Sequence, residues 1–307
     1  MTGSLTYNDY KILISEEKIK GKNNILNQIQ PSSIDLTLSE ECYEIKSSFL
    51  SPKNILREKL PDLIIKKIDL SKKEIFYKNK TYLIRLNEKL FLENNIQGLC
   101  NPKSSTGRLD IFCRTVLDYS DEYEKIPLNY KGEMFIEITS RSFDIEFKAG
   151  DSLNQMRLVF YKNNFISDIS LIELNKLNPI VYDEKNNKIL ANVDNGLRVS
   201  VDLSKKNKIS AYKAKKNTPI LIFNKTNFHN KNDFWIPIDT KNNSLIIERD
   251  NFYILKSKEK IRIPNNMAGE MVPYDTGIGD FRVHYAGFFD PGFGDPNGSF
   301  AVLEVKT

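Results

Sequence analysis

Tyr82-Leu83-Ile84-Arg85-Leu86-Asn87-Glu88-Lys89-Leu90-Phe91-Leu92-Glu93-Asn94-Asn95-Ile96 decides how this chain is built, because its pattern occurs twice. Moved along by 171 positions, Lys80 to Arg108 falls on Asn251 to Gly279. Tyr82 then meets Tyr253, Glu88 meets Glu259, Lys89 meets Lys260, Asn94 and Asn95 meet Asn265 and Asn266, Gly98 meets Gly269 and Pro102 meets Pro273. Leu90, Leu92 and Ile96 land on Ile261, Ile263 and Met267, the apolar positions a repeated strand-turn-strand unit would keep for its core. At a nearby offset Ser33-Ile34-Asp35-Leu36 meets Ser200-Val201-Asp202-Leu203. The pattern is that of a tandem duplication.

Within each copy the apolar period is two: Ile34/Leu36/Leu38, then Tyr82/Ile84/Leu86, then Phe135 and Glu137 on one face with Met134, Ile136 and Ile138 on the other. Helix patterns are few, with Glu16 to Gln28 and Ser51 to Lys66 the better candidates. Short strands between Gly, Pro, Asn and Asp clusters predict a mainly β fold, two tandem repeats of barrel or jelly-roll type with few short helices. The repeats are expected at 1–173 and 196–307, with the polar stretch 175–195 as linker. After Glu137-Ile138-Thr139 the first copy runs on through apolar segments to Val159, whereas the sequence reaches Thr307 soon after Glu304, so the second barrel is expected to be truncated at its C-terminus.

The 307 residues are 40% hydrophobic and 28% charged, enough for a sizeable core. A net charge of +5, dispersed along the chain, argues against a dedicated nucleic-acid binder and suits a small anionic ligand. With no basic segment leading into an apolar core at the N-terminus and no apolar run long enough to span a bilayer, the expectation is a soluble, cytoplasmic protein without membrane partners. Cys42, Cys100 and Cys113 are far apart, and the only histidines are His229 and His284. A disulfide or Cys/His zinc site is not expected, and the His-x-Glu with Pro-Cys-x-x-Cys signature of zinc deaminases is missing.

The copies diverge where chemistry would sit. Asn101-Pro102-Lys103-Ser104-Ser105-Thr106-Gly107-Arg108 gathers two cations, three hydroxyls and a glycine, a composition suited to holding phosphates or, more simply, to a solvated turn. It is not a Walker loop. The second copy reads Tyr274-Asp275-Thr276-Gly277-Ile278-Gly279 there and lacks both cations, but it alone carries Asp290-Pro291-Gly292. In the first copy Cys113 to Tyr123 takes the place of His284 to Gly294. Such complementary loss is what a composite site between repeats would leave.

Together these residues resemble the dCTP deaminases of the dUTPase-like superfamily, most closely their long, duplicated bacterial branch. The likeness covers nearly the whole chain and rests on Gln30 to Leu36, Asn101 to Arg108, Glu137-Ile138 with Arg141-Ser142-Phe143 and Gln155, and Phe281 to Gly294. It implies a distorted dUTPase-like β-barrel in each repeat, a dCTP substrate bound with Mg2+, and zinc-independent hydrolysis of the 4-amino group to give dUTP, for thymidylate synthesis, and ammonia. It also implies sites between neighbouring barrels and a homo-oligomer. By resemblance Ser104 and Arg108 open and close the phosphate motif with Lys103 and Ser105, Ala286 lies near the reacting base atom, and Glu304 activates water. The family's short members carry Arg where this chain has Lys103, which removes a bidentate phosphate clamp there.

Hydrolytic deamination needs a group that takes a proton from water and returns it to the leaving ammonia. One carboxylate can do both, and Glu304, between apolar neighbours on a strand, would be desolvated in a way that suits acid-base work; a strand-edge Glu facing solvent is the plainer reading. Glu137 is its counterpart in the first copy and is assigned to structure. Asp290 begins a turn in which Pro291 fixes φ and Gly292 permits positive φ, though related diphosphatases place a water-activating Asp in such a hairpin. Gly287 would contribute backbone to base recognition, and Phe288 and Phe293 either pack on base and sugar or fill the core. His284 is read as a structural hydrogen-bonding residue and Trp235 as packing. A dUTP or dCTP diphosphatase, alone or bifunctional, and a non-catalytic nucleotide binder remain as alternatives.

Overall fold

A computed structural model describes residues 3–22, 24–161, 165–204, 209–240, 242–272, 282–283 and 287–306. The chain divides into two compact units, Met1–Asn163 with Lys216–Asp233, and Asn164–Lys215 with Phe234–Thr307. The first unit runs β1 (Gly3–Ser4), α1 (Tyr7–Ser15), β2 (Ile19–Lys20), β3 (Ile34–Leu36), β4 (Leu38–Ile45), α2 (Leu56–Leu63), β5 (Ile64–Asp69), β6 (Glu74–Phe76), β7 (Thr81–Phe91) and β8 (Ile96–Pro102). It continues with α3 (Ser104–Gly107), β9 (Ile111–Leu117), β10 (Lys125–Ile126), β11 (Lys131–Ser140), β12 (Ile145–Phe147) and β13 (Asn154–Phe160). After α4 (Asp168–Leu177), β14 (Val181–Tyr182) and β15 (Ala211–Ala214) the chain returns to the first unit as β16 (Leu221–Ile222). The second unit ends with β17 (Trp235–Ile238), β18 (Phe252–Ile261), β19 (Gly269–Glu270), β20 (Arg282–Val283), β21 (Phe288–Phe289) and β22 (Ser299–Lys306).

Each unit is built on the same sheet. In the first, strands lie in the order β5-β4-β7-β11-β9 with β2 also on β7; in the second the order is β17-β15-β18-β22-β20 with β14 on β18. Registers agree residue by residue: Cys42 lies opposite Ile84 as Ala211 lies opposite Leu255, and Ile19 opposite Leu90 as Val181 opposite Ile261. The alternating pattern buries Leu83, Val116 and Phe135 with Ile45, Leu56 and Leu60 in one core, and Tyr253, Leu255, Leu303 and Val305 in the other. Each such side chain contributes roughly 1.5–3 kcal/mol by leaving water. A second sheet of the first unit, β1-β13-β8-β10 with β3 on β13, leads through β8 into Lys103 to Arg108. No helix among the described residues is long and apolar enough to cross a membrane.

Three local expectations are corrected. The stretch Glu16 to Gln28 holds a strand and a single tight turn at Ile25–Gln28, while the helix precedes it at Tyr7–Ser15. Thr6 starts that helix: its backbone N–H donates to Asp9 Oδ2 at 2.8 Å and its hydroxyl accepts from the Asp9 N–H, a capping box with Asp in the third position. Between Ser51 and Lys66 only Leu56–Leu63 is helical. The stretch 175–195 holds the end of α4 and strand β14, and Ile189, Ala191 and Val193 pack on Leu171, Ile180 and Val181.

The match of Ser33-Ile34-Asp35-Leu36 to Ser200-Val201-Asp202-Leu203 is a slip of four residues. Buried Glu88 accepts from the Thr37 N–H at 2.9 Å, and Glu259 accepts from the Ser200 N–H at 2.8 Å. Asn87 N–H bonds to Thr37 O and Lys258 N–H to Ser200 O. Thr37-Leu38 is therefore the counterpart of Ser200-Val201, and Asp35 is not the counterpart of Asp202.

Candidate functional site

The candidate phosphate motif, Asn101 to Arg108, begins at the end of β8. Lys103 N–H bonds to Leu153 O at 2.9 Å, and Thr106 Oγ1 donates to the same carbonyl at 2.7 Å. Thr106 is thus turned inward, and buried Gly107 spends its N–H on Lys103 O. Ser104, Ser105 and Arg108 are exposed. The short helix therefore presents two hydroxyls and one guanidinium to solvent rather than the three hydroxyls the composition suggests, and the Gly107 amide is not among the donors it offers.

Lys103 is engaged within the unit. Its ammonium is ion-paired to Asp35 Oδ2 on β3, with Ser152 Oγ at 3.5 Å, and Gln30 Nε2 approaches the same Asp35 oxygen at 3.5 Å. Strand β3 carries Asp35 there because it pairs with β13 at Gln155, which in turn pairs with Asn101 of β8. The sequence reading named both residues in motifs but did not join them. Within the described first unit, Arg108 is the cation of the motif that no carboxylate holds.

Glu137 and Glu304 lie at matching points of the two sheets, Glu137 opposite Leu83 and Glu304 opposite Ile254, and both are 2% exposed. Glu137 Oε1 accepts from Arg114 Nη2 at 2.7 Å and from Ser48 Oγ at 2.8 Å. Arg114 itself lies over Tyr123, 3.6 Å from the ring centroid, and over Phe112 at 4.7 Å. A carboxylate committed to a stacked arginine and a hydroxyl is poorly placed to shuttle protons. In the second unit Val283 lies opposite Val305 as Cys113 lies opposite Ile138, so Val283, not His284, answers to Cys113. His284 and Ala286 fall outside the described residues, as do Tyr274 to Gly279.

The hairpin Asp290 to Gly298 rests on the end of β18. Phe293 N–H bonds to Asp290 O at 3.1 Å, and Gly292 has φ +83°, the geometry of a type II turn with Pro291 at its second position. Ile263 holds the tip twice, its N–H to Phe293 O at 2.9 Å and its carbonyl accepting from Gly292 N–H at 3.1 Å. At Gly294, φ +75°, a Cβ would come within 2.3 Å of Ile261 O, so only glycine allows this approach. Gly287 is buried, with its carbonyl accepting from Met271 N–H; Phe288, Asp290 and Phe293 are half-buried, and the Phe293 ring lies 4.7 Å from that of Phe289. Trp235 packs on Phe252 at 6.0 Å between centroids. Lys103, Ser104, Ser105 and Arg108 thus belong to the first unit, and Gly287, Phe288, Asp290, Phe293 and Glu304 to the second.

One buried carboxyl escaped the sequence reading. Glu124 is half-buried as a residue, but its carboxylate is enclosed, accepting from Thr115 Oγ1 at 2.9 Å and from Asn154 Nδ2 at 3.2 Å. Burial raises its pKa to about 7 against those hydrogen bonds, which favour the charged form. Asn154 begins β13, directly after the Leu153 carbonyl that secures the phosphate motif. A lone Glu in a polar turn gave no sequence signal for this.

Comparison with known proteins agrees with this layout. Residues 1–162 match the model of the 2'-deoxycytidine 5'-triphosphate deaminase N-terminal domain, and residues 167–307 match that of the C-terminal domain. No curated protein matches the chain. Among solved structures, the crystal structure of 2'-deoxycytidine 5'-triphosphate deaminase from Agrobacterium tumefaciens superposes with a TM-score of 0.93 at 36% identity, covering 99% of this chain and 89% of that one. Both halves of the chain, in their order and at nearly full length, are accounted for in this way: it belongs to the dCTP deaminase family and is a hydrolytic deaminase.

Proposed function

We propose that the enzyme converts dCTP and water to dUTP and ammonia without zinc, with Glu304 as the proton-transferring carboxylate. Glu304 takes a proton from water as its oxygen adds to C4 of the cytosine ring, and delivers it to the amino nitrogen as the C4–N bond breaks. Ser104, Ser105 and Arg108 hold the triphosphate, with Lys103 contributing once its pairing to Asp35 is relaxed. Backbone of the Ala286–Gly287 segment meets the base, and Phe288, Asp290 and Phe293 shape the surroundings of base and sugar. The observation that supports this assignment is that Arg114 and Ser48 occupy Glu137, the matching carboxylate of the first unit.

Magnesium fits as a passenger of the nucleotide. The described residues gather no group of three or more His, Cys, Asp or Glu side chains, so its ligands would be phosphate oxygens and water. Bound there it would neutralise phosphate charge beside Arg108. The proposed working form is a cytoplasmic homo-oligomer, to be checked by sedimentation of the purified protein and fractionation of cells.

Incubation with dCTP and magnesium, following ammonia and pyrophosphate together, tests the reading. Ammonia with dUTP supports it. Pyrophosphate with a nucleoside monophosphate would assign the Asp290 turn to a diphosphatase, ammonia and pyrophosphate together would make the enzyme bifunctional, and binding without turnover would make the chain a nucleotide sensor.

A further inference from the structure

Arg262 answers to Phe91 in the repeated pattern, 171 positions earlier. The two backbones do the same thing: Phe91 N–H bonds to Lys18 O at 2.8 Å and Arg262 N–H to Ile180 O at 2.9 Å. Their side chains do not. Arg262, 14% exposed, donates from Nε to Pro179 O at 3.0 Å, from Nη2 to Asn178 Oδ1, and from Nη1 to Asp295 Oδ1 at 3.1 Å. The arginine stands in the copy that has the Asp-Pro-Gly hairpin, and the phenylalanine in the copy that lacks it.

Two of the three acceptors lie in the segment between α4 and β14, and the third lies on the outgoing arm of the hairpin. The neighbouring residue, Ile263, grips the tip at Gly292 and Phe293 through its backbone. The turn is therefore held from two sides by consecutive residues. The Asp295 side chain is 37% exposed, and a pair this open to water adds little to global stability. Its effect falls on where the hairpin sits.

We propose that Arg262, acting through Asp295, is a positioning residue for the Asp290–Phe293 turn and thereby sets the enzyme's selectivity for its deoxycytidine substrate. The proposal rests on the reading above that this turn shapes the surroundings of base and sugar. It adds a guanidinium that touches no substrate but fixes the segment that does, and its three nitrogens reach three separate acceptors that a lysine's single nitrogen would not span.

Arg262→Met, Arg262→Lys, Asp295→Ala and the Arg262→Met/Asp295→Ala double variant are compared by melting temperature, by KM and kcat for dCTP and CTP, and by amide hydrogen exchange of residues 290–298 without nucleotide. Arg262→Met should raise the KM for dCTP about tenfold and lower the dCTP-over-CTP preference about fivefold, with kcat changed less than about threefold, and Asp295→Ala should shift both in the same direction. The double variant should be no worse than Arg262→Met, because that substitution already removes the contact with Asp295. Lysine should recover only part of the loss, and exchange across the hairpin should quicken in every variant. Unchanged exchange and selectivity in Arg262→Met, or losses that add in the double variant, overturn the proposal. Should the wild-type protein release no ammonia from dCTP, the functional reading fails, and the exchange comparison alone then decides whether Arg262 holds the turn.

Discussion

Glu137 and Glu304 are one strand position written twice, each buried and each facing the matching residue of its partner strand, and Glu137 is clamped by Arg114. The duplication preserved the carboxylate in both copies, and in the first it became part of a salt bridge.

Glu304→Gln should therefore lower deamination by roughly a thousandfold while leaving nucleotide affinity within about tenfold, since it removes the proton carrier and no phosphate contact. Glu137→Gln should keep most of the activity and instead cost about 1–3 kcal/mol of stability by leaving Arg114 without its anion. Steady-state kinetics and urea unfolding of both variants check this, and the reverse pattern would move catalysis to the first unit.

At the phosphate motif, Arg108→Ala should weaken triphosphate binding by roughly 1.5–3 kcal/mol, because it deletes an uncommitted charged donor. Asp35→Asn should tighten binding about three- to tenfold at low salt by freeing the Lys103 ammonium. Calorimetric titration with a non-hydrolysable dCTP analogue reads both. Weaker binding in Asp35→Asn would show that the carboxylate orients the lysine rather than competing for it.

Glu124 makes stability depend on pH. Its folded pKa of about 7 lies above the ordinary carboxyl value, so between the two the folded protein binds the proton more readily than the unfolded chain. Its contribution is fully present below the unfolded value and is lost as pH rises through about 7, a change on the order of 3 kcal/mol. Glu124→Gln should flatten the decline in unfolding free energy between pH 5 and about 8. An identical slope in the variant would exclude Glu124 as its source.

The segment 216–233 can be removed without opening the strand pair that flanks it, since Ala214 of β15 already lies opposite Trp235 of β17. Replacing it with a short turn should leave the second unit folded. The first unit would lose β16 beside β12, the buried Leu221 and the Phe223 ring packed 5.1 Å from Phe147, at a cost of about 2–4 kcal/mol. Hydrogen exchange should then quicken at Ile145 to Phe147, and protection there equal to wild type would contradict this.

The duplication was legible because β7 and β18 keep both their apolar period and the paired asparagines that follow, Asn94-Asn95 and Asn265-Asn266. The false match of Ser33 to Ser200 arose because a slip of four is even: it leaves every side chain on its own face, so the hydrophobic pattern cannot reject it, and only the Glu88 and Glu259 clamps reveal the true register. Helix α1 was missed because an Asp stands where the capping-box pattern has Glu or Gln. Of the site, the motifs could be read and their pairings could not. Lys103 with Asp35 and Arg114 with Glu137 join strands far apart in sequence, and nothing local encodes such contacts. Arg262 was visible in principle, as the one charged residue replacing an aromatic at the end of the repeated strand.

The same segment 216–233 bears on how the gene could evolve. Cutting between the copies would leave the first protein short of a strand that the second copy's reading frame supplies, so the ancestral single-copy gene can no longer be recovered by simple deletion. Breaking the fusion would destabilise the first unit, while keeping it passes on both copies together. Under that linkage a cation lost from one copy and a turn lost from the other are never separated from their complements, and drift can discard each redundant half without penalty.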